Sequence, residues 1–497
     1  MLLNNNLLTR IKWLIAFLLY GYIIHKAVSV EITQDEAFSY LLVKTNNFRA
    51  MAASANTHWL NSLAMKLFLV LPGEDSLWKI RILSLLCWPV YCYSTIQLSI
   101  LFKNKLSGLA FFMVAVLNPF LIFYFSLARG YAPACSFIML ALWYMARVLQ
   151  TDEIRPGKWL PVFQSSALAV MANFTSFYFF MGLTIVYYGY LLGKKQLNLI
   201  LQRPFQKLNV LVVILSVFAV SGLLVIKYFG HDLEFGSRSD LIGSMFGSQW
   251  VNSLNIVASA EQFSTADEHY DVSGIYRQYG LVLFIISLVA LVYTIWNNIK
   301  TGRLSIGGFT TYIIFAILSL CLLFSLLFNT PYLMDRSALF LYPLMAVCLF
   351  TVADMILPEV RTVMVLKSGV AILLLAVCSY NFFKSYNTRY FNEWSLQSNT
   401  REGLDYLRRA DAKNVGMDIW HYSVYENYYT VAFPDRYHFK AESIGLKEML
   451  TTTDSARFER YDHLFLSPPY NENNAVIKNW RTKMLFRESE AKILVRK

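Results

Sequence analysis

Charge is what this sequence has least of. Only 15% of its 497 residues are Asp, Glu, Lys or Arg, where a soluble domain carries about a quarter. With 56% hydrophobic residues and a mean hydropathy of +0.42, that shortage excludes an ordinary soluble domain and points to a polytopic membrane protein. Paired cysteine is absent too. Cys87, Cys92, Cys135, Cys321, Cys348 and Cys378 all fall inside apolar runs, with no His at metal-ligand spacing, so they read as packing residues and offer neither a zinc site nor a disulfide framework. The first apolar run follows Arg10 and Lys12 but has no small-residue cleavage site of the A-x-A kind after it, and reads as an uncleaved anchor. No internal repeat of the sort that builds a two-halved transporter is visible. The net charge of +12 does not imply a nucleic-acid partner, because the basic residues sit in short loops between apolar runs.

What the sequence does have is long apolar runs. A span needs about 20 apolar residues, and about eleven runs meet this measure, near 11–29, 80–101, 106–126, 131–149, 159–174, 176–192, 208–228, 278–297, 307–328, 336–356 and 363–383. The aromatic content, 37 Phe, 31 Tyr and 11 Trp, suits interfacial belts. Lys103 and Lys105, then Arg147, Arg155 and Lys158, then Lys194, Lys195, Arg203 and Lys207, then Lys300 and Arg303, then Arg361 and Lys367 occupy alternate loops. The positive-inside rule makes those loops cytoplasmic. The N-terminus is then inside, and 30–79, 127–131, 229–277, 329–335 and everything after about 384 lie outside.

Two outer loops are long. In 30–79, "DEAFSYLLVKTNNFRAMAASA" and "HWLNSLAMKLFLVL" have helical apolar spacing but are too short and polar to span, as expected of amphipathic helices on a membrane surface. In 229–277, "DLIGSMFGSQWVNSLNIVASAEQF" reads as another such helix or as a re-entrant segment. The expected division is a membrane domain over 1–384 and a small soluble α/β domain over 385–497. In that tail "TREGLDYLRRA" reads as a helix, "NVGMDIWHY" and "YDHLFLSPP" as buried strands and "AKILVRK" as an edge strand.

The stretch "VEITQDEAFSY" leaves the first span with Asp35 and Glu36 side by side. Adjacent carboxylates repel one another and are costly to bury. A carboxylate at the outer lipid surface has one evident use, to take a proton from a hydroxyl or amine as that group attacks an electrophile. A sugar carried on a polyprenyl phosphate is such an electrophile. Phosphate leaves as a stable anion, so the site needs positive charge rather than a general acid. Arg129 in "SLARGYAP", Arg336 in "PYLMDRSALFLYPL" and Arg81 in "SLWKIRILSLL" lie on the same side and carry the planar fork that pairs with phosphate. Taken singly, each reads equally well as an arginine snorkelling to the interface.

Together these segments resemble the lipid-linked-sugar glycosyltransferases of the multi-spanning C-type (GT-C) fold, in the branch of protein O-mannosyltransferases and bacterial aminoarabinose transferases. The resemblance rests on "DEAFSYLLVK", the segment from "NTHWLN" to "WKIRILSLL", "ARGYA" and "DRSALFLYP". It covers roughly the first 150 residues and 330–345. It implies an inverting transfer with Asp35 as general base and Glu36 orienting or tuning it. It also implies donor phosphate bound by Arg129 and Arg336, and Arg81, on the same rim, is taken as a third phosphate-binding residue. His58, with Asn61, stands where the family has a His- or Lys-Pro-Pro segment, and the two prolines are missing here. His58 therefore reads either as part of the donor site or as the cap of a surface helix. Tyr131, which follows in the same "ARGYA", is with Asn61 a candidate for the donor or acceptor site.

Glu261, Asp267, Glu268, His269 and Asp271 lack firm metal spacing and read as a solvated acidic loop, with Glu261 kept as a candidate second carboxylate. No metal or other cofactor is expected. The expected partners are a polyprenyl-phosphate-linked sugar, an acceptor protein, glycolipid or glycan, and the lipid bilayer. The resemblance favours a bacterial inner membrane with a periplasmic tail. Two other readings stay open: a multi-spanning transporter or flippase, and a ligase using pyrophosphate-linked donors.

Overall fold

The structure, a computed structural model, describes residues 5–47, 50–51, 58–151, 156–196, 210, 214, 240–248, 251, 272–356, 360–445, 458–468, 480–486 and 489–496. Helix α1 (Asn5–Ser29) opens a helical bundle. Two short helices follow, α2 (Gln34–Lys44) and α3 (Trp59–Leu69). The bundle continues with α4 (Leu77–Ile100), α5 (Lys105–Val116), α6 (Pro119–Phe125), α7 (Tyr131–Thr151), α8 (Pro156–Ala172) and α9 (Phe177–Gly193). It closes with α10 (Val272–Thr301), α11 (Ile306–Phe328), α12 (Leu341–Ile356) and α13 (Arg361–Ser385). Among the described residues seven helices are long and apolar enough to cross a membrane, or eight if α5 and α6 count as one bent span. The protein is a multi-pass membrane protein. Every expected span has a helix beneath it except 208–228, of which only residues 210 and 214 are described.

Two spans differ from expectation in form. The run 106–126 is no straight helix. It breaks at Leu117 and Asn118 and turns by 57°. Pro119 disfavours the helical conformation at the residue before it, and the Asn118 side chain caps the new helix by accepting from Leu121 N–H. The run 336–356 starts late, because Asp335 has a left-handed backbone (φ +50) and residues Asp335–Ala338 form a 3-10 turn. Arg336 therefore stands on a turn ahead of α12. The third expected surface helix is described only in part. It contains a short π-turn, Gly243–Gly247.

The basic loops gather at one end of the bundle. There Lys367 pairs with Asp354 (3.6 Å), Asp354 accepts from Lys103 N–H, and Lys194 donates to Gly302 O. At the other end α2 lies under the C-terminal domain. That domain holds α14 (Thr400–Arg409), β1 (Asn414–Asp418), α15 (Ile419–Val424), β2 (Lys440–Ile444), β3 (His463–Leu466), β4 (Trp480–Leu485) and β5 (Lys492–Arg496). The strand order is β2-β1-β3-β5-β4, parallel through β2, β1 and β3 and antiparallel beyond. The expected edge strand, β5, is internal. Ile493 and Leu494 are both buried, as a strand covered on both faces requires, and among the described strands the edges are β2 and β4. The expected strand "NVGMDIWHY" stops at Asp418, whose carboxylate accepts from Trp420 N–H and His421 N–H and starts α15.

One hydrophobic core joins the two parts. Ala37, Tyr40 and Val43 of α2 pack with Leu404, Val424, Tyr428 and Phe465 of the tail. Tyr428 stacks edge-on against Tyr40 and donates to Asp75 O. Within the tail, α14 approaches β3 so closely that a Cβ on Gly403 would lie 2.3 Å from the Phe465 ring. Gly403→Ala should therefore destabilise the tail by about 1–3 kcal/mol through overpacking. Faster proteolysis of the tail in detergent, with the bundle left intact, is the expected readout.

Candidate active site

The local sequence sets up the site. Thr33 caps α2 and Glu36 occupies the third helical position, so the pair forms a capping box. Glu36 N–H donates to Thr33 Oγ1 (3.3 Å), and Thr33 N–H donates to Glu36 Oε2 (3.0 Å). Asp35 and Glu36 thus share the first turn, where the helix dipole favours negative charge. They are one residue apart, which turns them about 100° around the helix, and their surroundings differ accordingly.

Glu36 faces inward and is fully buried against Arg81. Arg81 Nε donates to Glu36 Oε1 (2.8 Å) and Nη2 to Glu36 Oε2 (2.7 Å). Its remaining hydrogens go to the carbonyls of Ala27, Val30 and Glu31. A guanidinium has five N–H donors, and all five are spent. Arg81 therefore has none left for a donor phosphate, and the geometry gives it a scaffold role instead. Glu36 Oε1 also accepts from Ala128 N–H (2.6 Å). Asn61 Nδ2 donates to Ala128 O (2.8 Å), and Ser84 Oγ to Leu127 O (2.6 Å). Residues 127–129 are thus held from three directions, and Arg129 is aimed by them.

Asp35 faces the other way. Its Oδ2 lies 2.9 Å from Arg336 Nη1 and 3.3 Å from Arg129 Nη2. Arg129 is fully buried, while Asp35 and Arg336 keep 16% and 20% of their side chains exposed. Burial raises the Asp35 pKa, but the two guanidinium groups outweigh it and hold the carboxyl below its usual range. The structure thus brings together the three residues, 35, 129 and 336, that lie farthest apart in the sequence pattern.

His58, Tyr131 and Gly130 complete the wall. His58 is the residue before α3, but its side chain does not cap that helix. The ring sits edge-on to Tyr131, 4.9 Å between centroids, and Arg129 Cζ lies 5.7 Å from the Tyr131 ring. Among the described residues, neither ring nitrogen of His58 makes a well-formed hydrogen bond. Burial first, then Arg129 and Arg336, drive its pKa well below the usual 6.5. A Cβ on Gly130 would fall 1.7 Å from Ala172 O and 2.7 Å from His58 Nδ1, so only glycine fits between them. Asn61 is buried beside this wall, and its Oδ1 has no partner among the described residues. Glu261 lies outside the described residues. Among the described residues no cluster of three or more His, Cys, Asp or Glu groups is placed to hold a metal ion.

The comparisons bear on the fold. Residues 54–222 match the family of dolichyl-phosphate-mannose-protein mannosyltransferases. The whole chain superposes on ArnT from Cupriavidus metallidurans bound to undecaprenyl phosphate, with TM-score 0.51, 10% identity and 97% of each chain covered. The chain carries the C-type glycosyltransferase fold. The apo form of the same ArnT aligns at TM-score 0.45 and 12% identity over 97% of both chains. An Archaeoglobus fulgidus oligosaccharyltransferase tethered to an acceptor peptide aligns at 0.44 and 11%, covering 92% of this chain and 69% of its own. No curated protein matches the sequence. The resemblance read from the residues holds at the level of fold.

Sequence reasoning missed the scaffold. The T-x-x-E spacing of Thr33 and Glu36 was a legible capping signal, and it would have marked Glu36 as structural. Ser84 carried no signal at all.

Two tests follow from the buried pair and from His58. Glu36→Leu or Arg81→Met alone should cost about 3–5 kcal/mol, since each strands a buried charge. The double variant should cost clearly less than the sum, by about 0.5–3 kcal/mol of coupling. Unfolding in detergent measures all three. For His58, the folded pKa lies below the unfolded value near 6.5, so the unfolded chain takes up the proton first as pH falls. Its contribution is complete above about pH 6.5 and is lost below it. His58→Gln should flatten the fall in stability below that pH, and His421, buried and lowered in the same way, contributes to the slope left over.

Proposed function

We propose that this protein is an inverting glycosyltransferase. It moves a sugar from a polyprenyl-phosphate donor to an acceptor at the extracytoplasmic face of a bacterial inner membrane. The observation that carries the reading is the single carboxylate, Asp35, shared by two guanidinium groups at one end of a membrane bundle. Further support comes from the basic loops gathered at the opposite end, as the positive-inside rule expects of a cytoplasmic face. A transporter or flippase accounts less readily for a base and an anion site built into one rim.

In the resting site Asp35 occupies the place of an anion. A phosphodiester arriving between Arg129 and Arg336 competes for their N–H groups. The carboxylate then loses its countercharge, its proton affinity rises, and it becomes the general base. It takes the proton of the acceptor hydroxyl or amine as that atom bonds to the anomeric carbon. The bond from that carbon to the phosphate oxygen breaks on the opposite face, and the electron pair leaves with the phosphate. Arg129 and Arg336 stabilise the charge that develops there. His58, held neutral, and Tyr131 line the donor side, and Asn61 offers its Oδ1 to donor or acceptor. Glu36 acts by holding the Ala128 peptide and hence Arg129.

Asp35→Asn and Arg129→Ala should separate these roles by opposite signs. Both should abolish transfer of radiolabelled sugar from polyprenyl-phosphate donors to envelope extracts. Asp35→Asn should bind undecaprenyl phosphate about 10- to 100-fold more tightly than the wild type, because the competing anion is gone. Arg129→Ala should bind it more weakly by a similar factor. Transfer by Asp35→Asn at near the wild-type rate, or weaker binding by that variant, would overturn the assignment of Asp35.

A further inference from the structure

The Asp35 helix is held at its start by a residue from the far side of the sequence. Gln34 is the first residue of α2, and its N–H has no partner within the helix. It donates to Gln397 Oε1 at 2.7 Å. Gln397 is buried, and its amide Nε2 faces Gln34 Oε1 at 3.5 Å. One turn back, Glu31 Oε2 accepts from Arg401 N–H at 2.8 Å. The segment 396–401, between the last bundle helix and the tail sheet, thus grips 31–34 twice, next to Asp35.

A buried polar knot in the tail fixes that segment in turn. His421 Nε2 meets Ser467 Oγ at 2.8 Å, and His421 Nδ1 meets Thr400 Oγ1 at 2.9 Å. Each hydroxyl also lies within hydrogen-bond reach of a backbone carbonyl, Ser467 of Leu396 O (3.0 Å) and Thr400 of Gln397 O (2.9 Å); a neutral imidazole has one N–H and one bare nitrogen, so one hydroxyl accepts from the ring and the other donates to it. The Asp418 carboxylate accepts from His421 N–H and Ser467 N–H, and Phe465 stacks on the imidazole at 3.8 Å. These groups stand at the carboxyl ends of the parallel strands β1 and β3. A Ser, a His and an Asp so arranged look like a nucleophilic site, but all three are buried and the Asp418 carboxylate stands 3.8 Å from the imidazole Nε2, outside hydrogen-bond reach.

We propose that Gln397 is a positioning residue for Asp35, and that the tail domain exists in part to hold it. Gln397 closes the first turn of α2, the turn that carries Asp35, while the knot around His421 keeps Gln397 in register. This inference rests on the proposed role of Asp35.

Two substitutions break the same bond from opposite sides. Gln397→Met keeps the size and removes the acceptor. Gln34→Pro removes the donor at a helix position where proline is well tolerated. Each should raise hydrogen exchange in the peptide spanning 33–38. Each should lower kcat for transfer by about 10- to 100-fold, the effect of a misplacement near 1 Å, while undecaprenyl phosphate binds no more weakly than to the wild type. The double variant should be no worse than either single one. A merely structural loosening would weaken phosphate binding along with kcat, and that result overturns the proposal. Additive losses, or unchanged exchange at 33–38 in both variants, overturn it as well. Failure of the glycosyl-transfer reading would look different, as a wild-type protein that does not bind undecaprenyl phosphate, and the exchange measurement would still decide the clamp.

Discussion

The buried ion pair between Glu36 and Arg81 is the interaction on which the site depends. Its two side chains have no exposure, so their attraction acts in a low dielectric and is not screened by salt. Such a pair is costly to bury and is stable only when every remaining lone pair and hydrogen is matched. Here they are. Five donors of Arg81 meet two carboxylate oxygens and three carbonyls at the end of α1, and the carboxylate takes two backbone N–H groups besides. A junction satisfied this fully tolerates little displacement. It ties α1, α2, α4 and residues 127–129 to one point.

Two adjacent carboxylates therefore come to have opposite characters. Glu36 is saturated and structural. Asp35 keeps 16% of its side chain exposed and is held, among the described residues, by the two arginines that an anionic ligand would claim. The mutual repulsion of neighbouring acids is relieved because the helix turns them apart and each meets its own cations. A catalytic carboxylate needs such a neighbour. Without Glu36 and Arg81 the first turn of α2 would have nothing rigid to push against, and the distance from Asp35 to Arg129 would be set by loop flexibility.

Much of this was readable in the amino-acid order, and the failures have physical causes. Apolar runs of span length report the bundle directly, because nothing else explains them. Asp35, Arg129 and Arg336 were found by charge in an apolar setting. Arg81 looked the same by that criterion, and only its five partners, three of them carbonyls, separate a scaffold arginine from a ligand arginine. Backbone carbonyls leave no trace in a sequence. Pro119 could have been used to break the span 106–126. The place of β5 inside the sheet depends on β4, a strand with little apolar pattern. Gln34 and Gln397 are ordinary residues, 363 positions apart, and no local pattern announces their bond.

The parts of the site come from 35, 129 and 336, and each cation is aimed by a backbone device rather than by its own side chain. Arg129 precedes Gly130, which alone lets residues 127–131 press against Ala172 O and His58. Arg336 follows Asp335, whose left-handed backbone costs about 1 kcal/mol or more. That conformation is held by Asp335 N–H donating to Ser248 Oγ (3.0 Å) and by Tyr276 OH facing its carboxylate (3.4 Å). Arginine side chains are long and carry much rotamer entropy, so two of them converge on one oxygen only if the backbone has already brought them close. Rigid backbone behind flexible side chains fits a site whose cations must exchange a resident carboxylate for an incoming phosphate: the anchors stay, and only the last bonds of each guanidinium have to move.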